Sequence, residues 1–302
     1  MVTQRVAFRR PDRRTFLTAA GMMLAAGFPL QAAPAGPRLA AIDWAMLETA
    51  IAIGHMPVAA CELIRFRQDV IEPAIPAEVV DLGLRGAPNF ELLQLVRPDL
   101  ILISPYYTRY EDRLRRLAPV LNLPFFDQGE PPLPKAKAAL IDLAEEIGDP
   151  AAGQRAAAKA DLELNDLAKK LGAHDDRPFC LINIGDARHM RVFGFDSLFG
   201  STLDRLGLEN AWGQGTEFSF LAPVPIETLA DMPEARVVVI GQVPPEAQRG
   251  LSRNVLWRKL PAVAQGRLYQ LPEINAYGAM PSALRFGQLL SQALSKGPVA
   301  QL

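Results

Sequence analysis

The sequence predicts an α/β protein of two lobes, each a mainly parallel sheet with flanking helices, joined by one long rigid helix. Short apolar, β-branched runs at residues 79–84, 100–104, 179–184 and 236–240 alternate with helical stretches, as in sheets buried on both faces. Residues 151–171 are alanine-rich and charged, with no Gly or Pro after Gly153. As a helix this stretch is roughly 30 Å long, enough to pass from one lobe to another, and it reads as too polar for a core. At 302 residues, 49% hydrophobic and 22% charged, the chain has the length and composition for two such lobes.

The first residues read as an export signal. Arg9, Arg10, Arg13 and Arg14 precede a modest apolar stretch from 16 to 28 and the small residues Ala32 and Ala33, where a cut is expected. Asp12-Arg13-Arg14-Thr15-Phe16-Leu17 resembles the twin-arginine type, whose passengers cross the membrane folded. The apolar stretch falls short of the ~20 residues that span a bilayer, which favours cleavage over an anchor helix. Removing residues 1–32 takes five arginines and one aspartate from 32 basic and 33 acidic residues, leaving 27 against 32, a net charge of −5. That balance offers no basic patch for nucleic acid or anionic lipid.

The first lobe is expected over 38–148. A strand at 39–42 leads into a helix over 44–53, and the run at 79–84 stops at Arg85-Gly86-Ala87-Pro88. Pro88 suits a first helical turn, and Asn89 and Glu91 suit the positive end of a helix running from 89 to 96. Arg97-Pro98-Asp99 breaks it before the strand at 100–104, which ends at Pro105-Tyr106-Tyr107. Arg85 and Tyr107 therefore stand at the ends of two strands of one parallel sheet, where open α/β sheets bind ligands. A strand within 119–126 and a helix over 135–147 complete the lobe.

After the connecting helix (151–172) the second lobe is expected over 177–296. It has strands at 179–184, 190–193, 236–240 and 267–271, and a closing helix over 282–294. Another helix over 197–206 is expected to have Asp196 as its cap and Gly207 as its end. Cys61 and Cys180 sit among apolar neighbours, as buried free thiols do, although an oxidising compartment would permit a bridge. His55, His174 and His189 show no metal-ligand spacing.

Several short pieces occur in a telling order. They are Asp43-Trp44 leading to Leu47-Glu48, Asp81-Leu82-Gly83-Leu84-Arg85, Pro88-Asn89-Phe90-Glu91-Leu92-Leu93, Arg188-His189-Met190-Arg191-Val192-Phe193-Gly194, Asn210-Ala211-Trp212, and Tyr277-Gly278-Ala279 with Ser282-Ala283. Along most of its length the chain thus resembles the iron(III)-hydroxamate binding proteins of bacterial periplasms, the ligand-capturing subunits of ABC importers for siderophores. The resemblance implies the helical-backbone metal-chelate receptor architecture, a periplasmic monomer, an Fe(III)-siderophore as ligand and an inner-membrane ABC permease as partner. No cofactor and no protein-bound metal are implied, because a hydroxamate siderophore already supplies six oxygen donors to iron.

What remains for the protein is to donate hydrogen bonds to the chelating oxygens. A guanidinium does so through a fixed fork and a tyrosine through its hydroxyl. The resemblance gives these roles to Arg85 and Tyr107. At a helix start, however, Arg85 is equally suited to a salt bridge with Glu91 or Asp81, and Tyr106 and Tyr110 offer the same group in nearby registers. Arg188 and His189 are candidates from the second lobe, or simply a turn before a strand. The resemblance also places Asp112, or Glu111, and Glu227 where carboxylates meet permease arginines, although acids in first helical turns are stabilising without a partner.

The departures concern the cleft wall. Aromatic positions of the family are held here by Asp69, Ser219, Asn275 and Ala276, with Phe218, Phe220 and Tyr277 left to refill part of the space. A more polar pocket is expected, with Asp69 available to a cation and Trp44, Trp212 and Trp257 in structural places. The loss keeps a second ligand class open, a carboxylate siderophore or a corrinoid. No nucleophile elbow, Gly-rich phosphate loop or metal-ligand cluster asks for an enzyme.

Overall fold

The computed structural model describes residues 36–174, 176–214 and 223–300. Its first sheet contains β1 (Leu39–Ala41), β2 (Ala59–Ala60), β3 (Val80–Asp81), β4 (Leu100–Ile103) and β5 (Val120–Asn122), all parallel, in the order β3-β2-β1-β4-β5. Helices α1 (Trp44–Ala52), α2 (Leu63–Asp69), α3 (Phe90–Val96) and α4 (Glu111–Arg115) connect them. β1 and β4 are buried throughout, as strands must be when helices cover both faces. The strand order reverses between these two, and such a switch point opens a crevice beyond the carboxyl ends. Asp43 follows β1 and Ser104 follows β4, so both stand at that crevice.

β3 stops at Asp81 rather than 84. Gly83, at φ +76°, turns the chain and donates its N–H to Asp81 Oδ1 at 3.0 Å. The strands leading to Arg85 and Tyr107 are parallel, but β2 and β1 lie between them.

α5 (Pro132–Glu146) starts three residues before the expected Lys135, because a first turn has no use for the N–H that proline lacks. α6 (Pro150–Leu171), whose cap Asp149 accepts from the Ala152 N–H at 3.1 Å, is the 22-residue helix that joins the lobes. Contrary to the polar reading, it buries a seam of Ala152, Gly153, Ala157, Ala160, Leu164, Leu167 and Leu171. Gly153 is required there, since a Cβ would lie 2.5 Å from the Leu140 carbonyl oxygen of α5.

The second sheet contains β6 (Phe179–Ile184), β7 (His189–Val192), β8 (Pro223–Pro225), β9 (Arg236–Ile240) and β10 (Leu268–Leu271), in the order β10-β9-β6-β7-β8. Only β7 runs against the others, which keeps the sheet mainly parallel. Helices α7 (Leu198–Arg205), α8 (Pro245–Arg253), α9 (Val255–Lys259), α10 (Pro261–Ala264) and α11 (Met280–Lys296) complete this lobe. The cap of α7 is Ser197, which accepts from the Gly200 N–H at 3.0 Å, and not the expected Asp196. One apolar cluster unites Leu47 of α1, Leu140 of α5, Leu164 of α6, Phe199 of α7 and Phe286 of α11. The lobes thus share a core as well as a helix, an arrangement that resists hinge bending. Cys61 and Cys180 are free, buried thiols in separate apolar clusters.

Candidate functional site

The crevice is organised by the start of α1. Asp43 is extended and caps the helix, its Oδ1 accepting from the N–H groups of Ala45 (2.6 Å) and Met46 (3.2 Å). Its Oδ2 accepts from the Ser104 hydroxyl at 2.8 Å, which ties the two sides of the switch point together. Burial pushes this carboxyl above the usual carboxylate range.

Arg85 is held from two directions. Its Nε donates to Glu62 Oε2 at 2.9 Å and its backbone N–H to Glu62 Oε1 at 3.2 Å. Its guanidinium lies 3.8 Å from the ring centroid of Trp44, a cation–π stack. Trp44 is itself fixed, with Nε1 donating to the Cys61 carbonyl (3.0 Å) and its ring meeting Phe66 edge-on. The acid partner is therefore Glu62, not Asp81 or Glu91. Asp81 accepts instead from the N–H groups of Gly83 and Ile64. The terminal nitrogens of Arg85 make no hydrogen bond with the described residues.

Tyr107 lies in the 3-10 turn Pro105–Tyr110 that folds over the carboxyl end of β4. Burial, and then the neighbouring Asp43, push its hydroxyl well above the ordinary tyrosine range, so it is a proton donor at every physiological pH. Arg85 and Tyr107 share a cavity of about 380 Å³ with Asp43, Glu62, Gly86, Tyr106, Phe126 and Tyr277. A second cavity, about 290 Å³, adjoins it through the shared residues Asp43, Tyr106 and Phe126, and adds Ser104, Pro105 and Phe125.

The structure thus brings Arg85, Tyr107 and Tyr277 together, but not all of the expected wall. Asp69 is bonded to Arg65 at 2.9 Å along α2 and does not line the cavity. Asn275 is a correction: it is buried, its amide donating to Glu48 at 2.7 Å and its oxygen accepting from the Tyr277 N–H. Ala276 packs against the shared core. Ser219, Phe218 and Phe220 lie outside the described residues. Arg188 and His189 lead from a turn into β7, where Asp186 accepts from both backbone N–H groups and from the imidazole. Tyr106 and Phe126 also line the cavity, and Phe126 meets Tyr277 edge-on at 5.5 Å.

Of the two first-lobe acids expected to dock a permease, Glu111 is committed to Arg115 and to Asn122 (3.0 Å), whereas Asp112 is exposed. Glu227 is exposed in the 3-10 turn Ile226–Asp231. The sequence did not point to Glu62 or Phe126, and Tyr106, an alternative to Tyr107 there, lines the cavity beside it. The signal for Phe126 was faint, an apolar pair with Phe125 just beyond a strand, and nothing local marks Glu62. Among the described residues no three His, Cys, Asp or Glu side chains are placed to hold a metal ion. Nor, among them, is any helix long and apolar enough to cross a membrane.

Comparison with known proteins agrees with this architecture. The iron(3+)-hydroxamate-binding protein FhuD of Escherichia coli K12 is 32% identical over 257 residues, covering 85% of this chain and 86% of that protein. The ferric-anguibactin-binding protein FatB of Vibrio anguillarum is 24% identical over 136 residues, 44% of this chain and 42% of that protein. Among solved structures, FhuD from Vibrio cholerae bound to Fe3+-Desferal superimposes with a TM-score of 0.79 at 24% identity, over 87% of this chain and all of that one. Because the pattern of the periplasmic binding protein family matches residues 39–274 and the Escherichia coli relative aligns over most of both chains, this chain belongs to the periplasmic binding protein family.

Proposed function

We propose that this protein is the solute-binding component of an ABC importer, that it captures an iron(III)-hydroxamate siderophore in the periplasm, and that it delivers the complex to an inner-membrane permease. The observation that carries this is the convergence of the Arg85 guanidinium and the Tyr107 hydroxyl on one cavity beside the switch point. Both are donors, and the hydroxamate oxygens around iron keep partial negative charge and accept. Tyr106, Phe126 and Tyr277 supply apolar contact for the chelate's backbone. Iron is cargo, ligated by the siderophore alone, and no catalysis is required. The name of the Escherichia coli relative supports the hydroxamate class.

In this reading residues 1–32 are a twin-arginine export signal, and the protein works as a monomer. Asp112 and Glu227, exposed on separate lobes, meet arginines of the permease. Native mass spectrometry of the protein purified from iron-starved cells tests the proposal. It predicts a retained mass equal to a ferric hydroxamate; a retained corrinoid or ferric carboxylate chelate would overturn it.

A further inference from the structure

Glu62 occupies a position where a glutamate is at odds with its backbone. Its φ of +54° and ψ of +39° are left-handed, a region that few residues other than Gly adopt and that collects at functional sites. It is also the cap residue of α2, yet its side chain bonds no N–H of that helix. Both carboxylate oxygens go to Arg85, one to the backbone N–H and one to Nε. The chain forgoes a relaxed backbone and a helix cap in order to hold this arginine.

Two consequences follow for the cavity. With Nε taken by Glu62 and one face stacked on Trp44, the guanidinium has a single orientation, its terminal nitrogens left for the ligand. The second consequence is electrostatic. Glu62 cancels the charge of Arg85, and Asp43 adds a carboxylate to the same wall, so the described lining has no net positive charge and carries one negative charge when Asp43 is ionised.

A ferric trihydroxamate core is neutral, since three singly deprotonated groups balance Fe(III), whereas hydroxycarboxylate and catecholate chelates are anions. We infer that Glu62 is a specificity-determining residue that fixes and neutralises Arg85, restricting the cleft to ferric chelates of zero or positive net charge. An unpaired arginine would draw anionic chelates; this one offers hydrogen bonds without net attraction. The inference rests on the proposed capture of ferric hydroxamates and narrows it.

The test uses one chelate in three charge states: Fe(III)-desferrioxamine B with its pendant ammonium, the N-acetyl derivative and the N-succinyl derivative, of net charge +1, 0 and −1. Calorimetric titration at low salt is expected to rank them in that order, about fivefold in Kd for each charge step. High salt should compress the ranking. Glu62→Gln removes the one net negative charge and should improve binding of the succinyl complex relative to the ammonium complex, two charge steps away, by about 25-fold. Glu62→Asn, which tolerates the left-handed backbone, is a second charge-free variant with the same expected shift. Equal affinities in the unmodified protein, or a ranking untouched by either variant, would overturn the charge filter while leaving siderophore capture standing. Binding of none of the three complexes would overturn the capture reading, and the filter with it.

Discussion

Glu48→Ala should unsettle the fold more than any surface change, because one carboxylate of α1 organises the start of α11. The side chain is fully buried and accepts four hydrogen bonds: from Asn275 Nδ2 (2.7 Å), the Ala279 N–H (2.8 Å), the Ser282 N–H (3.2 Å) and the Ser282 hydroxyl (2.8 Å). Alanine leaves two helix-start N–H groups and an amide buried without a partner, at about 1–3 kcal/mol each, partly offset because a charge no longer has to be desolvated. The net expectation is a loss of about 3–5 kcal/mol. With an m-value of about 3 kcal/mol/M, the urea midpoint should fall by roughly 1 to 1.7 M at unchanged slope. The exposed pair of Glu246 and Arg249 supplies the control, Glu246→Ala costing under about 1 kcal/mol.

The same group has a pH signature. Burial holds its carboxyl at about 7, against 4.5 for an ordinary glutamate, so between those values the folded protein retains a proton that the unfolded chain has released. For this group stability is therefore highest below about 4.5 and falls as pH rises to about 7, by at most ~1.4 kcal/mol per pH unit. The Ser282 hydroxyl can turn to accept from the protonated form. Glu48→Gln should flatten that slope. A loss under 1 kcal/mol in Glu48→Ala, or equal slopes in the two proteins, would refute the role assigned to Glu48.

Other expectations follow from single contacts. Gly278→Ala should weaken the same junction, because a Cβ would lie 2.3 Å from Ser282 Oγ and 2.6 Å from Glu48 Oε2, and urea unfolding should show it. Arg85→Ala should weaken hydroxamate binding roughly ten- to hundredfold, and the exposed Arg97→Ala should not; equal effects would remove Arg85 from the site. Asp112→Ala combined with Glu227→Ala should leave affinity unchanged and lower siderophore uptake by cells, whereas undiminished uptake would reduce both acids to helix-end stabilisers. Trp44 lies directly beneath Arg85, so a ferric ligand should quench its emission and Trp44→Phe should abolish most of that quenching. Quenching carried by Trp257, buried in the second lobe, would contradict this placement.

The strands at 179–184 and 236–240 were legible because short, largely apolar runs, β-branched throughout at 237–240, leave little choice of structure. The sequence also placed Arg85 and Tyr107 beyond strands of one parallel sheet, and both line the cavity there. It did not disclose the contact between Glu48 and Asn275, 227 residues apart, so an alignment position that looked like cleft wall proved to be a buried clamp. Asp196 lost the cap to Ser197 by one residue, a distance that composition does not resolve. Glu62 was invisible for a different reason. Its role depends on a left-handed backbone that no residue preference would assign to glutamate.

The central claim is that the cleft holds a chelate through Arg85 and Tyr107 and takes no iron of its own. Calorimetric titration of the protein with an Fe(III)-trihydroxamate, and separately with Fe(III) presented by nitrilotriacetate, tests it most directly. The expected result is saturable one-to-one binding of the trihydroxamate, weakened in Arg85→Ala, and no uptake of metal from nitrilotriacetate. Stoichiometric binding of the metal itself, with no response to the trihydroxamate, would contradict the account.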